Sequence, residues 1–314
     1  MKKENHSEGA AEYAVTDTNP VKKSKRKKAS VFDVLNYAFF IIFALLCIFP
    51  VVYQLLLSFA SKADYLQANA STVIVIPRHF NFENYKVTLY QDNILKAFGV
   101  SVFITVAGVL YSMILTCLGA YAFTKKDVPG LKAVFFLIIF TMFFGGGLVP
   151  TYLVIKDTVG TGNLFSIVIP FGINTFNMII LRNFFNQVPD SIIDSCRLDG
   201  ASEFRVLISF VVPLSKAGLA TIMLYYLVAK WDEWYWPSLL LSDVPDLKPL
   251  ALKIREGLNN ARPEGQGGGW DPSRVFAQGS NAAMIIIGLV PIMAIYPFLQ
   301  KYFAQGVMIG AIKS

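Results

Sequence analysis

Charged residues are scarce in this sequence. Only 16% of its 314 residues are Asp, Glu, Lys or Arg, whereas soluble domains average about 25%. Hydrophobic residues make up 54% and are concentrated in long runs without charge. Several runs exceed the roughly 20 residues that a helix needs to cross a bilayer core. The composition therefore excludes an ordinary soluble domain and predicts an all-α integral membrane protein.

Histidine and cysteine are also sparse, which excludes several kinds of site. The two histidines, His6 and His79, are isolated, which argues against histidine-based catalysis. The three cysteines, Cys47, Cys117 and Cys196, have the spacing of neither a metal site nor a disulfide framework. No Gly-x-x-x-x-Gly-Lys-Ser/Thr sequence occurs, so we expect no nucleotide-binding phosphate loop. We predict that this chain binds no metal or cofactor and is not itself an enzyme.

The hydrophobic runs predict six transmembrane helices. They cover residues 34–60, 97–123, 133–155, 162–182, 217–241 and 281–302, approximately. The fifth is the least obvious, because the apolar run Ala217–Ala229 is about 20 Å long as a helix and is too short to cross alone. It becomes long enough only if it continues through Lys230, Asp232 and Glu233 to Leu241.

The basic residues orient these helices. The sharpest cluster, Lys22–Lys28, directly precedes the first span, and more than half of all Lys and Arg share its side of the membrane. Positive charge favours the cytoplasmic side, so we place both termini in the cytoplasm of a multi-pass cell-membrane protein. We expect residues 1–30 to be a disordered basic tail and residues 31–314 to be the transmembrane domain. The tail is a topology signal at the anionic leaflet, a solvated segment, or both, and its charge does not indicate nucleic-acid binding.

Residues 188–214 form the segment between the fourth and fifth spans. This segment is too polar to enter lipid and too apolar for a solvent-exposed linker that contacts nothing. Pro189 suits the start of a short helix, and Gly200 supplies a left-handed cap at its end. A second helix begins near Ser202. The pattern predicts two helices joined by a sharp turn. They are either a docking element for a partner or a surface structure that packs only on its own subunit.

The same segment resembles the Glu-Ala-Ala…Asp-Gly-Ala…Leu-Pro signature of ABC importer permeases. The match comprises Asp194–Ala201 and Pro213-Leu214, with Asp-Ser-Cys in place of Glu-Ala-Ala. Trp231–Pro237 is similar to the family's Trp-Asn-x-x-x-x-Pro segment, with Asp in place of Asn, and Gln300–Lys313 resembles its C-terminal end. The resemblance is narrowest to carbohydrate-uptake permeases related to the smaller membrane subunit of the maltose transporter.

The resemblance implies the type I ABC importer permease fold, with a cytoplasmic coupling helix at residues 194–203. It also implies a second permease subunit in a heterodimer, two cytoplasmic ATP-binding subunits that use ATP and Mg, and an extracellular solute-binding protein. Asp194, Arg197 and Glu203 would meet charges on the ATPase, and Asp199 would cap the second helix. The residues to which the resemblance assigns ATPase coupling are Asp194, Ser195, Cys196, Arg197, Asp199, Gly200, Ala201, Glu203 and Pro213.

Charged and aromatic residues in the fifth span form a candidate substrate pathway. They are Lys230, Trp231, Asp232, Glu233 and Trp234. Charge at membrane depth is costly and marks functional sites, and aromatic rings beside carboxylates suit sugars. We expect Lys230 and Glu233 to pair on one helix face. The alternative is an aromatic belt with its charges in the headgroup zone.

The long outer loop carries a glycine-rich stretch. Its candidate contacts with the solute-binding protein are Gly267, Gly268, Gly269 and Trp270. A disordered connector is the alternative for this loop. The expected cargo is a carbohydrate, in particular an oligosaccharide, and the alternative is a non-sugar solute such as a polyamine or phosphate.

Overall fold

The computed structural model describes residues 31–71, 75–91, 93–259 and 275–311, and every regular element in these ranges is helical. The tail 1–30 and the stretch Gly267–Trp270 lie outside the described residues. The expectations stated for both therefore stay predictions.

Long apolar helices alternate with short connecting ones. The first eight are α1 (Val31–Ser58), α2 (Lys62–Ser71), α3 (Glu83–Gln91), α4 (Ile94–Ala122), α5 (Leu131–Phe143), α6 (Leu148–Thr158), α7 (Phe165–Val168) and α8 (Thr175–Phe185). Next come α9 (Asp190–Leu198), α10 (Glu203–Val206), a π-helical turn (Leu207–Val211), α11 (Val212–Leu214), α12 (Lys216–Trp231) and α13 (Tyr235–Leu240). A 3₁₀ turn (Pro245–Leu247), α14 (Leu250–Asn259) and α15 (Ala277–Ala311) complete the described chain.

The chain divides into two units within α1, between Phe49 and Pro50. In the first unit, residues 31–49 of α1 are exposed along their whole length, Phe32 for example to 72%. The full helix has 28 residues, which corresponds to about 42 Å. Its length and apolar surface suit a membrane span.

In the second unit, α4 joins buried clusters at both of its ends. Ile94, its first residue, shares a cluster with Trp231 of α12 and Met284 of α15. Tyr121, near its last residue, shares another with Cys196 of α9. One continuous helix therefore connects the region of α12 and α15 to the segment between predicted spans 4 and 5.

Three single helices are long and apolar enough to cross a membrane. They are α1, α4 and the Ala277–Pro297 part of α15. Two bent pairs also qualify: α5 with α6, bent by 119°, and residues 203–214 with 216–240, bent by 87°. The described helices thus offer three to five crossings by length and composition, and the count of six stays a prediction.

Three of the predicted spans are not continuous helices. The third breaks at Gly145–Gly147, where Gly147 has a φ of +84°, a conformation that glycine adopts without strain. The fourth consists of two short helices separated by residues 169–174, which include Pro170. The fifth breaks between Trp231 and Tyr235. Hydropathy does not detect the first two breaks, because the residues on both sides remain apolar. The break in the fifth span coincides with the charged residues Asp232 and Glu233.

Candidate functional site

The helix α9 turns its apolar face towards the core of its own chain. Cys196 is only 6% exposed, and Ile192 and Ile193 pack against the same buried cluster. Asp194 and Leu198 lie outside this contact, and Leu198 is 90% exposed. One face of α9 is therefore fixed on this subunit, and the other is open.

The turn after α9 is a left-handed glycine cap. Gly200 has a φ of +75°, its N–H donates to Arg197 O, and the N–H of Ala201 donates to Cys196 O, both at 3.0 Å. These two bonds define a Schellman motif. No atom lies within 4 Å of the position that a Cβ on Gly200 would take. The requirement for glycine therefore comes from the backbone conformation and not from crowding.

The second helix is capped by a different residue from the one predicted. Asp199 is the C-cap residue of α9. Ser202 is the N-cap residue of α10, and its side chain accepts a hydrogen bond from Arg205 N. The prediction that Asp199 caps this helix is wrong, because the glycine turn places Asp199 on the far side of the elbow.

Glu203 receives hydrogen bonds from three side chains, and we call this group the Glu203 clasp. Its Oε2 accepts from the Tyr121 hydroxyl and the Lys125 ammonium, both at 2.5 Å. Its Oε1 accepts from Arg197 Nε at 3.0 Å and from Nη2 at 2.8 Å. Tyr121 lies in the last turn of α4 and Lys125 follows three residues after its end. Arg197 is on α9, and Glu203 begins α10. A single carboxylate thus fastens both arms of the elbow to α4.

The clasp keeps Glu203 ionised. Burial alone would raise the pKa of Glu203, but hydrogen bonds from Lys125, Tyr121 and Arg197 outweigh it and lower this pKa to about 2. The hydrogen bond to Glu203 raises the pKa of Arg197 in turn. Arg197 and Glu203 therefore satisfy each other within this chain. Asp194 Oδ1 lies 3.4 Å from Arg197 Nη1, and with 65% of its side chain exposed Asp194 is the most exposed of the three predicted ATPase-facing charges.

A polar cavity of about 810 Å³ adjoins the clasp. It lies between α9, the end of α4 and the residues that follow α8. Charges of both signs line it: Lys125, Lys126, Arg182, Arg197, Asp127, Asp190 and Asp194. This surface can accept side chains of either charge from another protein.

Lys230 supports the break in the predicted fourth span. It is only 8% exposed, and its ammonium donates to Phe171 O at 3.1 Å, between α7 and α8. In the same break, Asn174 N donates to the Tyr226 hydroxyl at 2.9 Å. Backbone groups left unpaired at membrane depth cost several kcal/mol each, so these contacts stabilise the broken helix. The predicted pair between Lys230 and Glu233 is not formed.

The other four predicted pathway residues do not share one surface. Trp231, whose Nε1 donates to Gly288 O at 3.1 Å, and Asp232 line a cavity of about 210 Å³. The remaining lining residues come from α14 and α15: Leu250, Ala251, Ile254, Ile285, Gly288, Leu289 and Ile292. Glu233 instead accepts hydrogen bonds from the first N–H groups of α13, and Trp234 lies under Arg255.

Residues 22–309 match the model of the family described as binding-protein-dependent transport system inner membrane component. The chain belongs to this family. The polygalacturonan/rhamnogalacturonan transport system permease protein YtcP of Bacillus subtilis (strain 168) is 34% identical over 292 residues, 91% of this chain and 99% of YtcP. Protein LplC of the same strain is 35% identical over 299 residues, 91% of this chain and 96% of LplC.

A solved structure shares the fold of this permease. It is a bacterial ABC transporter involved in the import of the acidic polysaccharide alginate. One of its chains superposes with a TM-score of 0.81 and 30% identity, over 87% of this permease and 96% of that chain. The architecture is therefore that of an ABC importer permease.

Sequence reasoning missed the partners of the predicted residues. Tyr121 and Lys125 lie 82 and 78 residues from Glu203, and Phe171 lies 59 residues from Lys230. No local pattern relates positions at such separations. The coupling helix that the resemblance implies drew attention to Glu203, and the charge at membrane depth drew attention to Lys230. Neither indicated what the side chain contacts.

Proposed function

We propose that this chain is the permease subunit of an ATP-driven importer for a carbohydrate, in particular an oligosaccharide, and that it forms half of the translocation pathway. The names of its relatives support this cargo. YtcP is named for polygalacturonan and rhamnogalacturonan transport, and the transporter of similar fold for alginate import. ATP hydrolysis belongs, in this proposal, to separate cytoplasmic subunits.

The observation that carries the coupling role is the stiff elbow formed by α9, the Gly200 turn and the Glu203 clasp. An element that transmits movement must keep its shape while its contacts change between two states. The open face of α9, with Asp194 and Leu198, would contact the ATPase. The clasp would then pass the movement to α4, which shares buried clusters with α12 and α15.

The proposed assembly has further parts. Six spans would place both termini in the cytoplasm, and a second permease subunit would complete the pathway as a heterodimer. Two ATP-binding subunits, using ATP and Mg, would dock at the elbows. An extracellular solute-binding protein would deliver the cargo, with Gly267–Trp270 among its contacts.

Labelling from each side of the membrane tests the orientation on which this proposal depends. In a cysteine-free variant, Leu198→Cys should react with an impermeant maleimide only in inside-out vesicles. It should also crosslink to the ATP-binding subunit. Phe80→Cys is a matched control, because Phe80 is 72% exposed and lies in the predicted outer loop. It should react only in right-side-out vesicles, and reaction of Leu198→Cys from outside would refute the coupling role.

A further inference from the structure

The helix α14 carries a guanidinium held in place by an aromatic ring. Arg255 Cζ lies 3.5 Å from the centroid of the Trp234 ring. A guanidinium stacks well on an aromatic face, and its five N–H donors then point outwards in the plane of the group. The stacking fixes this long side chain before any ligand arrives, so less conformational entropy is lost on binding.

Arg255 has no acidic partner in the described part of the chain. Other cations nearby do: Lys248 pairs with Glu256 at 2.6 Å, and Lys96 with Asp246 at 2.8 Å. By contrast, no described carboxylate lies within 4.0 Å of the Arg255 guanidinium, which is exposed. Among the described residues, no carboxylate therefore competes with an external anion for this group.

Glu233 does not compete for this cation. Its Oε1 accepts hydrogen bonds from Tyr235 N at 2.9 Å and Trp236 N at 3.2 Å, at the start of α13. These bonds hold the carboxylate on the backbone next to Trp234. The Trp234 ring thus lies between Glu233, whose carboxylate caps α13, and Arg255, which pairs with no described carboxylate.

The 210 Å³ cavity adjoins the same two elements. Trp231 and Asp232 line it from the chain just before Trp234, and Ile254 lines it from the residue before Arg255. Its lining residues are apolar except for Asp232. Sites for drug-sized ligands measure roughly 300–1,000 Å³, so this cavity suits a single sugar ring. An apolar wall with one hydrogen-bond acceptor matches the CH faces and hydroxyls of such a ring.

We infer that Arg255, stacked on Trp234, binds the carboxylate of one uronic acid residue in an acidic oligosaccharide. The sugar ring enters the cavity beside Trp231, and Asp232 accepts hydrogen bonds from its hydroxyls. A guanidinium binds a carboxylate through two parallel, charge-assisted N–H···O bonds, whereas a neutral sugar offers it only uncharged hydroxyl oxygens, whose hydrogen bonds are weaker. The inference rests on the proposed importer function and adds to it the chemical class of the cargo.

The test compares two probes that differ in charge. The importer, assembled with its partner subunits and binding protein in proteoliposomes, is given trigalacturonate or its fully methyl-esterified form, and ATP-dependent uptake of each is measured. Wild type should take up the acid in preference. Arg255→Gln should lower the acid-to-ester uptake ratio about tenfold, the loss of one charge-assisted bidentate contact. Because the binding protein is the same throughout, a change in this ratio reports on the permease.

Two further variants separate the subsite from a general charge effect. Arg255→Lys keeps the charge but not the bidentate geometry. Its acid-to-ester uptake ratio should therefore lie between those of Arg255→Gln and the wild type. Lys253→Gln removes one positive charge from the same helix and should leave the ratio unchanged.

If Arg255→Gln lowered the uptake of both probes equally, the subsite would be overturned, since Arg255 would then act in packing or in docking a partner protein. An unchanged ratio would overturn it too. Wild-type uptake of the ester alone would reject the uronate subsite and leave the importer function standing. Uptake of neither probe would also reject the uronate subsite, whereas a lack of ATP-dependent uptake of any oligosaccharide would count against the proposed function itself.

Discussion

Replacing Glu203 with glutamine should loosen the elbow from α4 while keeping the size and shape of the side chain. Glutamine removes the charge and turns one acceptor oxygen into a donor. That donor would face Tyr121 and Lys125 or, with the amide turned over, Arg197. In either orientation the substitution leaves at least one of these donors without its acceptor.

The size of the effect follows from the pKa and exposure of Glu203. The lowering of its pKa from 4.5 to about 2 corresponds to about 3 kcal/mol. Because 51% of the side chain is exposed, solvent screening reduces this contribution to about 1 kcal/mol. A loss of that size changes the ratio of closed to open clasp by about fivefold.

The pH dependence has a defined sign. The pKa of Glu203 is lower in the folded chain, so its contribution is present above pH 4.5 and is lost as the pH falls towards 2. Transport between about pH 5 and pH 8 should therefore leave the clasp intact. Substitution, and not mild acidification, is the perturbation that opens it.

The assay is the amount of cargo imported per ATP hydrolysed by the reconstituted complex. Glu203→Gln should lower this ratio by up to about fivefold, and Lys125→Gln should lower it similarly although Lys125 lies outside α9. The double variant should be little worse than either single one, because both remove the same contact. Asp157→Asn is the matched control, since Asp157 is exposed on α6 and belongs neither to the clasp nor to the lining of the cavity beside it. Full additivity of the two substitutions, or an unchanged ratio in Glu203→Gln, would refute the clasp as a link between elbow and bundle.

Two glycine substitutions give further predictions. Gly200→Val should uncouple ATP hydrolysis from import while leaving membrane insertion normal. A left-handed conformation costs a residue with a Cβ about 1–2 kcal/mol; Gly99→Val is the control, since Gly99 also has open space around it but lacks a positive φ. Gly218→Ala should lower the melting temperature of the purified protein, because the new Cβ would overlap the Phe184 ring, at a cost of about 1–3 kcal/mol. Phe184→Leu in the same chain should restore part of the loss, and an unchanged melting temperature would contradict this packing.

The elements that sequence reasoning located best depend on local properties. The spans predicted at 34–60, 97–123 and 281–302 correspond to α1, α4 and part of α15. The turn at Gly200 was also located, because glycine after a short amphipathic helix is a local signal. Hydropathy located the predicted third, fourth and fifth spans without their breaks. An apolar segment can be helical or broken, and partners elsewhere in the chain decide which form is stable.

By itself, the sequence determined that this chain is an all-helical membrane protein of the importer permease family, with a sharp elbow at Asp199-Gly200. Hydropathy, turn residues and a short signature are carried by neighbouring positions, so they can be read along the chain. Only the tertiary structure decided that Glu203 joins the elbow to α4, that Lys230 supports a broken helix, and that Arg255 lies on Trp234. These contacts form between side chains that packing brings together from distant positions, and the pattern around each residue does not specify its partner.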